Sequence, residues 1–278
     1  MATRQQRRAL LRDAMRIVAE RGFSSNLGRW NVVAAARLLL DVLTGRSPQR
    51  ASDTARRVVE LYDRSLQNNP ATPEPACRVG CTFCCRAPTV TATAPEVFLV
   101  AREVRQRHGA DLPAVIERFR RTDKVTRGLD PAERLRVRQP CSMLVDGACT
   151  VYAARPLACR AFASFSREKC EGAFETGSAD IPIPGINMTM RGNANQALWS
   201  ALHHCGLSSK GYELNHALLI ALEQPDAERR WLAGEDVFRD VATDTADETF
   251  GATAEVALYF QTVAAAALGR EPPQNPWL

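Results

Sequence analysis

The chain has 278 residues, 45% hydrophobic and 24% charged, which suits a globular protein able to bury a core. Its longest apolar runs, such as VVAAA and VAAAAL, fall well short of the roughly 18 residues of a membrane span, and the N-terminus MATRQQRRALLRDAMRIVAERG lacks the apolar stretch of a secretory signal. These features predict a cytoplasmic protein with no membrane contact, in a compartment where thiols stay reduced.

The net charge of +5 is uneven: residues 1–50 carry ten Arg against three acids, and residues 221–278 carry four Arg against eleven. Such asymmetry can mark a nucleic-acid contact. Here the cations are nearly all Arg and no binding motif or aromatic interleaving accompanies them, so nucleic acid is not an expected partner.

Apolar spacing predicts a mainly α fold, a single helical domain with a small β-hairpin near 141–152 and a cysteine-rich metal centre. Its segments are an N-terminal helical part over 1–70, a cysteine cluster metal-binding core over 71–210 and a C-terminal helical part over 211–278. In chain order, residues 4–21 form an amphipathic helix with Leu10, Leu11, Met15, Ile17 and Val18 largely on one side. Residues 30–43 form a more buried helix stopped by Gly45 and Pro48, and 51–67 form a third.

The stretch CRVGCTFCC follows, with Cys77, Cys81, Cys84 and Cys85 inside nine residues. Free cysteine is often a small core hydrophobe. Four crowded among Arg78, Gly80 and Pro88 do not look like core packing and point to metal or cluster ligation instead. Adjacent Cys84 and Cys85 are expected to diverge, since neighbouring side chains do so on a helix or strand, leaving one of them for a second centre or for the distant thiols.

Thr93 and Pro95 open the next predicted helix, EVFLVAREVRQRHG, ending at Gly109, with His108 as its C-terminal cap. Asp111 is expected to cap the helix DLPAVIERFRRTDKVTRG. CSMLVDGACTVY, 141–152, reads as a hairpin turning at Asp146-Gly147 with a cysteine in each arm. Cys141, Cys149, Cys159 and Cys170 make a second group, and four plus four is the arithmetic of tetrahedral thiolate sites. Arg155 and Arg160 flank Cys159, where guanidinium charge offsets a thiolate centre; both are candidate cofactor contacts. Tyr152 reads as packing, and Cys205, beside His203 and His204, stands apart. Further helices are expected over about 190–205, 211–223 (with His216 structural) and 252–268. The stretch 226–250 is ambiguous, and GREPPQNPWL reads as an extended tail.

Together CRVGCTFCC and PCSMLVDGACTVYAARPLACRAF resemble the YkgJ-type cysteine cluster family, a zinc- or iron-chelating domain. The family pattern is C-x3-C-x2-C-C, then a Pro-Cys, then Cys-x-Ile/Val-Tyr-x-x-Arg-Pro-x-x-Cys-Arg. Cys77, Cys81, Cys84 and Cys85 match the first element; Pro140, Cys141, Cys149, Tyr152, Arg155, Pro156, Cys159 and Arg160 match the rest. Some members resemble flagellin lysine N-methylases, which implies protein methylation as one activity. The C-x3-C-x2-C loop with Phe83 also resembles that of radical S-adenosylmethionine enzymes, whose α/β barrel a mostly helical chain does not provide.

Thiolate softness suits zinc and iron–sulfur alike, and the crowding favours an iron–sulfur cluster, with zinc the alternative. The chain has no P-loop, no H-E-x-x-H, no G-x-S-x-G and no G-x-G-x-x-G. Two functions stay open: a redox or transferase centre acting on a protein or small-molecule substrate, and a structural zinc-binding adaptor module without catalysis.

Overall fold

The structure, a computed structural model, describes residues 3–78, 80–177, 180–244 and 254–270. Thr3 opens α1 (Arg4–Arg21) with a reciprocal capping box, its hydroxyl accepting from the Gln6 N–H (3.2 Å) and its own N–H donating to Oε1 of Gln6 (2.8 Å). α2 (Trp30–Leu43) buries nine of its fourteen residues, and a helix apolar on so many sides belongs inside. It packs against α1, α3 (Arg50–Asn68) and two later helices.

Next come α4 (Phe83–Arg86), β1 (Thr91–Thr93), α5 (Ala94–His108), α6 (Leu112–Thr126) and α7 (Pro131–Val137). The hairpin strands β2 (Leu144–Val145) and β3 (Ala148–Cys149) precede α8 (Leu157–Ala161), α9 (Arg167–Thr176) and α10 (Gly185–His204). The chain continues through β4 (Gly211–Glu213), α11 (Leu214–Glu223), α12 (Ala227–Leu232), β5 (Thr243–Asp244) and α13 (Ala254–Ala267).

α10 and α13 are the later partners of α2, while α5 packs on α3 and on α11, which also covers α6. One core cluster extends from Leu11 to Ala267. An antiparallel sheet in the order β1-β4-β5 aligns Ala92 with Tyr212 and Tyr212 with Thr243. The Tyr212 ring meets Phe238 (5.0 Å between centroids), which meets Phe98 (5.5 Å) on α5, so the sheet is fastened to the scaffold by aromatic contact. No helix among the described residues is long and apolar enough to cross a membrane.

The mainly α expectation holds, and the first three helices fall where the sequence puts them. The Asp146-Gly147 hairpin forms, both residues taking positive φ (49° and 74°), and Leu144 pairs with Cys149. Other expectations need correction. Residues 211–213 are strand rather than helix because Gly211 and Tyr212 pair with Thr93 and Ala92. α10 starts at Gly185, after Pro184, five residues before the expected 190. Asp111 makes no capping bond to α6; it ends a 3₁₀ turn that runs straight into that helix. His108 closes α5 as a basic residue of its last turn, where the sequence puts it, and its Nε2 is buried without a hydrogen-bond partner. Tyr152 is 59% exposed and lies under the Arg155 guanidinium (3.6 Å), so it is not core packing. His216 is buried in α11, as a structural histidine should be. The ambiguous stretch contains α12 and β5; residues 245–253 and most of the expected tail lie outside the described residues.

Candidate metal centre

The first thiols sit on a loop and one helical turn. The Ala76 N–H donates to the Ser164 carbonyl (2.8 Å) and the Ser164 N–H to Sγ of Cys77 (3.4 Å), which pins the loop against the chain leaving α8. The Cys81 N–H closes a turn on the Arg78 carbonyl (3.0 Å). α4 then carries Cys84 and Cys85, whose sulfurs lie 3.9 Å apart. The divergence expected of neighbours on a helix is therefore not realised. Rotamers in a helix are limited by clash with the preceding turn, and these residues belong to the first turn of α4, which has none. Phe83 anchors that turn on Phe174 of α9 (6.4 Å), with the Arg86 guanidinium over the Phe83 ring (5.0 Å).

Backbone bonds then bring the second group to the first. The Cys141 N–H donates to the Cys85 carbonyl (2.8 Å), and the Thr150 N–H to the Met143 carbonyl (2.9 Å) sets the hairpin that holds Cys149. Cys159 lies on α8, whose first N–H groups need acceptors. The Leu157 N–H donates to Oε1 of Glu96 (2.8 Å), while Oε2 of Glu96 accepts from the Thr93 N–H (2.8 Å) and hydroxyl (2.7 Å). One buried carboxylate thus caps α5 and fixes the helix of Cys159. Thr93 was legible as a cap in the sequence; Glu96 was not, although a Glu three residues after a Thr is the capping-box signal.

Cys84, Cys85, Cys141, Cys149, Cys159 and Cys170, from five separate stretches of chain, line one cavity of about 630 Å³. Cys77 and Cys81 are outside its lining, and Cys77 interacts electrostatically with Cys81, Cys170 and Cys84. Cys84 also acts on Cys141, Cys149 and Cys159, so it stands between the two sets. Cys170 lines the cavity with its own sequence group and also acts on Cys77. Cys205 caps the end of α10, away from all of these.

All nine cysteines are free thiols. Burial pushes Cys141 up to about 11 and Cys159 up to about 12, and raises Cys77 and Cys149. Its hydrogen bond to Cys85, then burial, raises Cys84 far above the ordinary thiol value. Such groups are protonated at neutral pH, and a cation bound among them must displace protons. Among the described residues no three His, Cys, Asp or Glu side chains are drawn to ligating separation. The donor set nevertheless fits a thiophilic metal. Its sulfurs are soft and free of disulfides, and the Cys84–Cys85 spacing is close to the roughly 3.8 Å that two thiolates at ~2.3 Å from one tetrahedral ion would show.

The two arginines expected beside Cys159 differ in employment. Arg160 donates to both carboxylate oxygens of Asp63 on α3 (2.8 and 2.7 Å) and to the carbonyls of Arg155 and Ala153, so its fork ties the Cys159 helix to the scaffold. Arg155 lines the cavity and acts on Cys84, Cys149 and Cys159. Arg191, on α10, lines it too. Nothing in the sequence marks Arg191, because only the crossing of α10 brings it to this wall.

No curated protein matches the chain, and no solved structure matches it. Residues 76–176, which carry all eight clustered thiols, match the model of the CxxCxxCC family, described as "Putative zinc- or iron-chelating domain", the cysteine cluster family that the two motifs resemble.

Proposed function

We propose that Cys77, Cys81, Cys84, Cys85, Cys141, Cys149, Cys159 and Cys170 hold an iron–sulfur centre, and that this centre serves redox or group-transfer chemistry, protein methylation included, on a protein or small-molecule substrate admitted to the adjoining cavity. The supporting observation is the presence of six free thiols, from five stretches of a helical protein, in the lining of one cavity. When bound, the centre would supply electron transfer if iron–sulfur, or Lewis acidity if zinc with an open position. The chain's own groups do the rest. Arg155 offsets thiolate charge, the Arg160–Asp63 pair and Glu96 hold the helix of Cys159 in place, and the apolar wall excludes water from bound ligand. A cytoplasmic setting, with its reduced thiols, suits this chemistry.

A structural zinc module is the second reading, and the brevity of α4, α8 and the hairpin strands favours it. Elements of two to five residues have little burial of their own and gain from a cross-link. Anaerobic purification with metal and sulfide analysis and an absorption spectrum separates the two. Iron with stoichiometric inorganic sulfide and a brown colour is the expected result. Colourless protein with stoichiometric zinc, every ion closed by four thiolates, favours the structural module, and folded protein without either metal overturns both.

A further inference from the structure

The cavity is more than a recess around thiols. At about 630 Å³ it falls within the ~300–1,000 Å³ of small-molecule sites. Its walls are largely apolar, with Leu135, Met143, Phe162, Phe174, Ile181 and Leu214 among them. Four charged side chains also line it: Arg134, Arg155, Arg191 and Glu213. Two of these satisfy each other and the backbone. Arg134 donates to Oε1 of Glu213 (3.1 Å) and to the Thr126 carbonyl (3.0 Å), and Glu213 accepts the Asn215 and His216 N–H groups at the start of α11.

The other two are uncompensated. Arg155 spends its Nε on the Tyr152 carbonyl (3.2 Å) and one guanidinium face on the Tyr152 ring, and it forms no ion pair among the described residues. Arg191 forms neither an ion pair nor a hydrogen bond among them, although it is only half-exposed. Tyr62 on α3, outside the cavity lining, is 1% exposed with no hydrogen-bond partner for its oxygen, and the charges of Arg160, Arg191 and Arg155 act on it. Two guanidiniums without an anionic partner in the lining of a largely apolar cavity describe a missing oxyanion.

We propose that this cavity binds an amphipathic oxyanion, a molecule with an apolar body and a carboxylate or phosphate head, with Arg155 and Arg191 gripping the head and the apolar wall covering the body. Guanidinium forks match both kinds of head in planar, two-point geometry. The plainer account, that both arginines only neutralise a thiolate centre, fits Arg155, which acts on three of the thiols, better than Arg191, which acts on Tyr62. The proposal rests on the cavity being the ligand pocket of the metal segment.

The test is calorimetric titration of the full chain, purified anaerobically, with octanoate, octyl phosphate and octanol as probes, and metal content measured on the same samples. Octanoate or octyl phosphate is expected to bind at least about tenfold more tightly than octanol, a difference of one charge-assisted contact. The stronger of the two identifies the head. Arg191→Gln is expected to erase most of that preference while metal content and circular dichroism stay unchanged, because Arg191 holds no protein partner that its loss would orphan. Equal binding of octanol and both anions, or an anion preference that survives Arg191→Gln, overturns the proposal. Metal-free protein that still prefers the anion supports it and sinks the metal reading alone; metal-loaded protein without the preference does the reverse.

Discussion

Helix α2 buries nine of its fourteen residues against four other helices, whereas α4, α8 and the β2–β3 hairpin, which carry four of the clustered thiols, span only four, five and two plus two residues. The scaffold is held by apolar area, at roughly 25 cal/mol per Å² removed from water. The thiol segment lends Met143, Val151, Leu157 and Ala161 to the same core and is otherwise held by single directed bonds: Cys141 N–H to the Cys85 carbonyl, Leu157 N–H to Glu96, Arg160 to Asp63. Burial is spread over many contacts and tolerates small losses, while a directed bond is lost whole. A cysteine site built the second way can depend on its occupant for order.

Removing the metal should break the comparison open most widely, since structural zinc contributes about 10–16 kcal/mol in small thiolate domains. After chelation of the full chain, amides over 76–176 should exchange with solvent orders of magnitude faster while those of α2 and α10 keep their protection. Exchange that rises equally in both regions would mean one cooperative unit. Unchanged exchange everywhere would mean that the segment needs no occupant.

Arg134 is the joint between the regions, and it ranks next. Its side chain, 6% exposed, bonds Glu213 of the scaffold sheet (3.1 Å), the Thr126 carbonyl that ends α6 and the Pro88 carbonyl after α4. Arg134→Met fills similar volume but strands Glu213 and three carbonyls, those of Pro88, Thr126 and Leu129, and breaking a buried pair from one side costs about 3–5 kcal/mol. Denaturant unfolding should show that loss. A change under about 1 kcal/mol would show that the joint is wet and that the two regions are less coupled than their geometry indicates.

The same contrast explains what the sequence made legible. α1, α2, α3 and α5 carry long apolar periods with clear stops, such as Thr3 before α1 and Thr93-Ala94-Pro95 before α5, and their ends were readable to within a residue or two. α4, α7, α8 and α9 are too short for a period of 3.6 to declare itself. β1 and β4 pair across more than a hundred residues and β4 and β5 across more than thirty, so Gly211–Glu213 reads as helix from its neighbours alone. Within the site, cysteine spacing exposed the thiols, and Arg-Pro exposed Arg155 and Arg160. What spacing could not reveal was that Cys84 would stand between the groups, that Cys170 would act on Cys77, or that Asp63 of α3 would occupy Arg160. Those facts depend on how α9 and α3 pack against the loop, which is tertiary information.

Two glycines with nearly the same backbone angle give the finest cut through the comparison. Gly22 ends α1 at φ 76° and Gly147 turns the hairpin at φ 74°. An alanine at Gly147 pays the left-handed penalty of roughly 1–2 kcal/mol, and one at Gly22, where ψ is −158°, enters backbone nearly reserved for glycine at a cost of about 1–3 kcal/mol. At Gly147 an added Cβ meets nothing within 4 Å, so Gly147→Ala should cost only the left-handed penalty and act locally, loosening the arm that holds Cys149. At Gly22 the Cβ would overlap the Leu61 carbonyl and Ser65 of α3, backbone that cannot rotate aside. Ser65 Oγ also accepts the buried Phe23 N–H (2.7 Å), so any shift there is felt in the core beneath Phe23. Gly22→Ala should therefore cost its backbone penalty plus an overpacking term of about 1–3 kcal/mol. Thermal unfolding of the two variants side by side measures the difference. Equal losses would show that α1 and α3 can separate freely at this crossing, and the tightly packed scaffold would then lose its distinction from the thiol segment at a place where backbone meets backbone.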